Sequence, residues 1–275
     1  VSDFTYNCRL ADRTVTLREM KLPLYKDLVK YLTTNNTTDI TKAFDDLIYQ
    51  LCTSDCSNLT IIEKAKILLT VRAINVQPTL DVVLTCPSTG QTFNASLDLI
   101  TIIDYLNKIN ITSKKLTYDD LEIELNIPTT FHYADIDFIS KITFNQTPID
   151  NIKEAFDSLP AKVSKDIKDY IQEADTSNNQ KFISMKSPYA DKNIDIPISI
   201  SQNTIFEFVK LAFRRDLMSI YEMEYIIISK LNLDSAILYN STYAELNIYV
   251  NIFKKELEDR QQAGNQLTNP ASRTI

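Results

Sequence analysis

The hydrophobic period of this chain switches between helical and strand spacing, and that switch limits the fold more than any other feature. Leu24, Leu28, Tyr31 and Leu32 recur at helical spacing until the Asn35-Asn36 pair ends the run. Thr38 or Asp39 is expected to cap a second helix with an apolar stripe of Ala43, Phe44, Leu47, Ile48 and Leu51. A third opens at Thr60, where Glu63 completes a capping box, and runs to about Ala73. Past Thr79 the period falls to two. The β-rich runs Thr79–Thr85 and Thr92–Leu97 flank the turn-forming stretch from Cys86 to Gln91, which predicts a β-hairpin. Three helices followed by a hairpin predict an α+β protein: helical layers with two β-hairpins or small antiparallel sheets, ending in long amphipathic helices.

The remaining segments extend this pattern. Thr5–Met20 reads as an N-terminal hairpin turning near Ala11-Asp12, and Leu99–Ile109 as a helix. A strand pair is expected at Leu121–Leu125 and Thr129–Tyr133, with Pro128 at the break. Residues 1–130 are read as an N-terminal α+β module containing the Cys86 hairpin, and 131–262 as a mainly helical module. In the second, Ile136–Asp175 reads as two or three helices holding Phe138 and Ile142, with Pro148 and Pro160 as breakers. Lys181–Lys186 and Ile194–Ser201 form a second expected hairpin. Amphipathic helices follow at Asn203–Met218, Tyr221–Lys230 and Ser241–Gln262, the last with Ser241 or Thr242 as its cap. The tail, 263–275, has no periodicity and is expected to be flexible or to order against a partner.

Composition excludes several functions. With 29 basic and 36 acidic residues the formal charge is −7, and the densest basic features, Lys114-Lys115 and Arg214-Arg215, are isolated pairs, so no nucleic-acid partner is expected. The longest apolar stretch, Ile220–Leu233, is interrupted by Glu222, Glu224 and Lys230, too often for a membrane span. Val1–Lys21 carries charges throughout and lacks the apolar core of a signal peptide, which places the chain in a reducing cytosol by expectation. The 275 residues contain two glycines, Gly90 and Gly264, so a Gly-rich phosphate cradle is excluded.

No catalytic constellation is legible, and no cofactor is expected. His132 is the one histidine and sits in the strand-like run Thr130-Phe131-His132-Tyr133, which favours a structural role; a hydrolase built on it is the least favoured alternative. Cys8, Cys52, Cys56 and Cys86 are four thiols that could in principle hold zinc, but one pair alone has ligand-like spacing, so reduced structural thiols are expected instead. Glu122 and Glu124 alternate with Leu121, Ile123 and Leu125, the pattern of a half-exposed strand. The C-terminal aromatics exceed what one buried face needs. Phe206, Phe213, Tyr221, Tyr225, Tyr243, Tyr249 and Phe253 are therefore candidates for contacting partner proteins.

Read in order, Arg18-Glu19 with Tyr25-Lys26-Asp27-Leu28, Phe44-Asp45, Leu68-Leu69-Thr70-Val71-Arg72, the Cys86-Pro87 hairpin, and Tyr243-Ala244-Glu245 leading into Lys254-Lys255-Glu256-Leu257-Glu258 resemble the baseplate hub proteins and hub-assembly chaperones of T4-like contractile-tailed bacteriophages. That resemblance implies a non-enzymatic protein, made in the infected host's cytoplasm, that builds the central hub of the tail baseplate or remains there in the virion. Its partners would be other hub and tail proteins within a hetero-oligomeric complex. In that family the hairpin tip often looks like a remnant of a zinc knuckle, and here Cys86 lacks the second cysteine. The competing reading is a general helical adaptor or chaperone unrelated to phages.

Overall fold

The computed structural model describes residues 4–109, 112–131, 133–176, 183–190, 193–196 and 204–268. Strands β1 (Thr5–Arg9) and β2 (Thr14–Arg18) pair antiparallel, with Cys8, Val15 and Leu17 turned into the core. Three helices follow, α1 (Leu22–Thr33), α2 (Thr37–Leu51) and α3 (Ile61–Asn75). The cap of α2 is Asn36, whose side chain accepts from the amides of Thr38 and Asp39, so the two expected caps lie within the first helical turn. Thr60 and Glu63 form the expected capping box on α3.

Helix α3 is buried nearly all round, and α2, α4 (Leu99–Lys108), α7 (Thr204–Phe213), α10 (Tyr243–Thr268) and β1 pack against it. Two of its buried polar side chains, Asn75 and Arg72, are paired. Asn75 accepts from the Met20 amide at 2.9 Å and donates to the Val71 carbonyl at 2.8 Å and the Tyr6 hydroxyl at 2.9 Å. Arg72 donates from Nε to the Ala212 carbonyl at 2.8 Å and from its terminal nitrogen to the Gln77 carbonyl at 2.6 Å. The first of these bonds ties the last turn of α3 to the end of α7.

β3 (Thr79–Thr85) and β4 (Thr92–Asp98) form the expected hairpin, and Asp98 caps α4 by accepting from the amides of Ile100 and Thr101. β5 (Lys114–Tyr118), β6 (Leu121–Leu125), β7 (Ile139–Phe144) and β8 (Thr147–Pro148) then make a four-stranded antiparallel sheet in chain order. This corrects two expectations. β6 pairs with β5 and β7, while 129–131 and 133 lie outside any strand and Phe131 is driven into the core. The stretch expected to be wholly helical begins with a 3-10 turn, Asp135–Phe138, and strand β7; its helices are α5 (Ile152–Asp157) and α6 (Ala161–Thr176).

β9 (Ile183–Lys186) and β10 (Asn193–Ile196) form the second hairpin; residues 181–182 and 197–201 of the expected strands lie outside the described residues. The helix expected over Asn203–Met218 is divided. α7 ends at Phe213, Asp216 accepts from the Met218 amide, and α8 (Leu217–Tyr225) starts anew, prolonged by a π-helical turn over Ile226–Lys230. α9 (Ser235–Asn240) was not expected. Thr242 and Glu245 form a capping box on α10, which continues past Gln262 to Thr268; residues 263–268, expected to be flexible, are helical, and 269–275 lie outside the described residues.

The result is an α+β fold with small antiparallel sheets. Four of its largest buried side chains, Phe44, Phe131, Phe206 and Phe213, converge in one aromatic cluster. Phe44 of α2 lies 5.8 Å from Phe131, 6.1 Å from Phe206 and 5.9 Å from Phe213 between ring centroids, joining residues from both sides of position 130. The chain is also tied end to end, because the Leu22 amide donates to the Ser241 carbonyl at 2.9 Å.

Candidate interaction surface

The seven aromatic candidates divide by burial. Phe206 on α7, Phe213 on α7 and Tyr243 on α10 are core residues, the last packed edge-on against Tyr25 at 5.4 Å and covered by the Arg215 guanidinium at 4.7 Å. Phe253 is half-buried. Tyr221, Tyr225 and Tyr249 are exposed, at 43%, 57% and 43%. The sequence did not mark Met218, Ile228, Ile248 and Ile252 as surface residues, yet they too are exposed. Aliphatic residues in an apolar run carry no sequence signal that separates core from surface.

Tyr221, Tyr225 and Ile228 follow at helical spacing along α8 and its π turn, where Tyr221 meets Lys26 of α1 and Ile228 shares a depression with α1 and α9. Lys26 of α1 fixes this arrangement. Its ammonium bonds both carboxylate oxygens of Glu224, at 2.8 and 2.7 Å, and sits 4.0 Å from the centre of the Tyr221 ring. Beside it opens a depression of about 270 Å³ lined among others by Lys26, Asp27, Lys30, Glu224, Ile228 and Tyr239. Tyr239 is itself 65% exposed. The surface thus presents exposed aromatic area, the residue type enriched at protein interfaces, beside a Lys–Glu pair whose charges offset each other.

A second concavity, about 480 Å³, lies between the four-stranded sheet and α5 and α6, lined among others by Tyr118, Leu121, Ile142, Phe144, Leu159 and Lys162. Tyr118 donates to Asp166 at 2.6 Å across its edge, and burial together with that carboxylate pushes the phenol up to about 12. Neither cysteine nor histidine lines it. His132 lies outside the described residues.

The cysteines are not brought to one point. Cys8 on β1 is buried with its Sγ 3.6 Å from the Thr70 hydroxyl; Cys52, just past α2, bridges to Leu17 of β2. Burial, then Cys56 and Cys8 nearby, push the Cys52 thiol up to about 12. Among the described residues no three His, Cys, Asp or Glu side chains are placed to share a metal ion.

Cys86 sits in the β3–β4 turn, where the Gly90 amide closes on its carbonyl at 2.8 Å with Gly90 at φ +70°. Its thiol is covered by the second hairpin's loop. Hydrogen bonds from the hydroxyls of Ser187, Ser88 and Thr89 bring it down to about 6. The two tips are also clasped by the Tyr189 hydroxyl donating to the Thr92 carbonyl at 3.4 Å and by the Phe93–Tyr189 ring pair. A thiol depressed in the fold contributes stability that is full above its ordinary value near 9 and vanishes as pH falls through about 6. Stability measured by urea unfolding should therefore rise more steeply from pH 6 to 9 in the native chain than in Cys86→Ser; equal slopes would mean that the thiolate is not held by these hydroxyls.

Among the described residues no helix is long and apolar enough to cross a membrane. These features define a class, an α+β protein that exposes a set of aromatic and aliphatic side chains. A family model described as T4 bacteriophage base plate protein matches residues 2–199, and the chain belongs to that family. It is a T4-like phage baseplate protein, which sets aside the reading as an adaptor unrelated to phages. No curated protein and no solved structure matches it. The matched stretch contains α1, whose Lys26 anchors the exposed aromatic patch, whereas α7 to α10 lie beyond it.

Proposed function

We propose that the chain is a non-enzymatic subunit of the central hub of the baseplate, assembled in the host cytoplasm and held among other hub and tail proteins by the exposed face of α1, α8 and α9. The observation that carries this reading is the patch of Tyr221, Tyr225, Ile228 and Tyr239 around the Lys26–Glu224 pair. Aromatic residues held rigid by their neighbours lose little entropy on binding and are the usual anchors of interfaces. Membership of a baseplate family supports the setting, and the resemblance to hub proteins supports the position within it.

The double variant Tyr225→Ala/Tyr239→Ala tests the contact. Both rings are surface residues, so the melting temperature should stay within about 2 °C of the parent. Recovery of co-expressed hub proteins with the tagged chain should fall at least about tenfold. Full recovery would show that this face does not make the contact.

A further inference from the structure

We infer that the projecting half of α10 pairs antiparallel with the same segment of a second copy of this chain. This rests on the reading of the C-terminal helices as contact surface and names the partner for one part of it. Tyr243, Leu246 and Val250 seat the first turns of α10 against the body. Beyond Val250 every residue to Ala263 is exposed, except half-buried Phe253, so the helix leaves the body and runs about 27 Å further to Thr268 at 1.5 Å per residue. A helix that projects in this way leaves the side chains of its apolar face in water unless a partner covers them.

Its own sequence supplies that face. Tyr249, Ile252, Phe253, Glu256, Arg260 and Ala263 follow at helical spacing and share one side. Ile252 is 54% exposed and Tyr249 43%, while Glu256 and Arg260 stand 3.9 Å apart. Turning a second copy about a two-fold axis at residue 258 places Glu256 opposite Arg260 of the copy, and Arg260 opposite its Glu256. The same rotation sets Phe253 against Ala263, so a large apolar residue at one end meets a small one at the other. A parallel pair in register would instead bring each charge against its own kind, Glu256 on Glu256 and Arg260 on Arg260. The antiparallel arrangement also carries the two bodies to opposite ends of the helix pair, where they do not collide. A two-fold contact of this kind is self-complementary and closes as a dimer.

Sedimentation velocity of the full chain from about 1 to 200 µM tests this, since so short an interface lies at the weak end of stable contacts. The expected result is a monomer–dimer equilibrium in that range. Phe253→Lys should abolish it, with helix content by circular dichroism unchanged. Glu256→Arg and Arg260→Glu should each weaken it about tenfold or more, and their combination should restore it, because the swapped charges face each other again. A monomer at every concentration overturns the inference, as does a dimer indifferent to all of these changes. If the chain stays monomeric while Phe253→Lys loses co-expressed tail proteins, the segment binds a different subunit: the self-pairing is then wrong and the proposed function stands.

Discussion

Replacing Arg72 with methionine is expected to lower the unfolding free energy by about 2–4 kcal/mol, because one buried and one part-buried carbonyl are left without their donor. Arg72 is 3% exposed, and its guanidinium serves the Ala212 carbonyl at the end of α7 and the Gln77 carbonyl beyond α3. Burial first, and the nearby Arg215 charge, disfavour its own charge and draw its pKa down. The two carbonyl bonds, with Tyr25 and Tyr243 nearby, are what keep it in place. Lysine should not substitute, since one ammonium cannot span both acceptors in the fork geometry that guanidinium provides. Urea unfolding followed by circular dichroism measures the loss; a change below about 1 kcal/mol in Arg72→Met would mean that the bond between α3 and α7 contributes little.

Phe44→Ala should cost a similar amount, about 3–5 kcal/mol, for a different reason. The Phe44 ring is fully buried and lies against Phe131, Phe206 and Phe213, so truncation opens a cavity at the junction of α2, the 129–131 segment and α7. Phe44→Leu keeps most of the volume and should cost less than about 1.5 kcal/mol. The combination Phe44→Ala/Phe206→Ala should fall short of the sum of its singles, since both remove the same contact. Strict additivity would indicate that the rings do not pack as one cluster.

Much of the fold was legible because local chemistry and tertiary packing agree. Thr60 and Glu63 announce α3 whatever surrounds them, and the Cys86–Gln91 turn fixes its hairpin register through Gly90. The failures have physical causes. Ile139 and Ile142 are both buried although three residues apart, because a β-bulge opposite Glu124 and Leu125 shifts the register; the resulting spacing imitates a helix. Thr129–Phe131 has strand-forming residues, but its backbone is used to place Phe131 in the aromatic cluster. No glycine or proline marks the break at Arg214–Asp216, so α7 and α8 read as one helix.

The candidate surface was half legible for a related reason. α7 buries Ile205, Phe206, Phe208, Val209, Ala212 and Phe213 and is apolar nearly all round, so its aromatics cannot be sorted by periodicity. On α8 the same residue types face outward because α1 and α9 leave that side open around Lys26 and Glu224. A pairing between residues 26 and 224 is invisible to any local pattern. It determines which aromatics remain outside, and therefore where a partner can dock.

The account stands most directly on where the protein ends up. Mass spectrometry of purified tail baseplates, with quantification against the other hub proteins, is the measurement to make. The hub reading predicts peptides from this chain at a fixed ratio to those proteins, and their depletion when Tyr225→Ala/Tyr239→Ala replaces the parent. Absence of the chain from purified baseplates would contradict it.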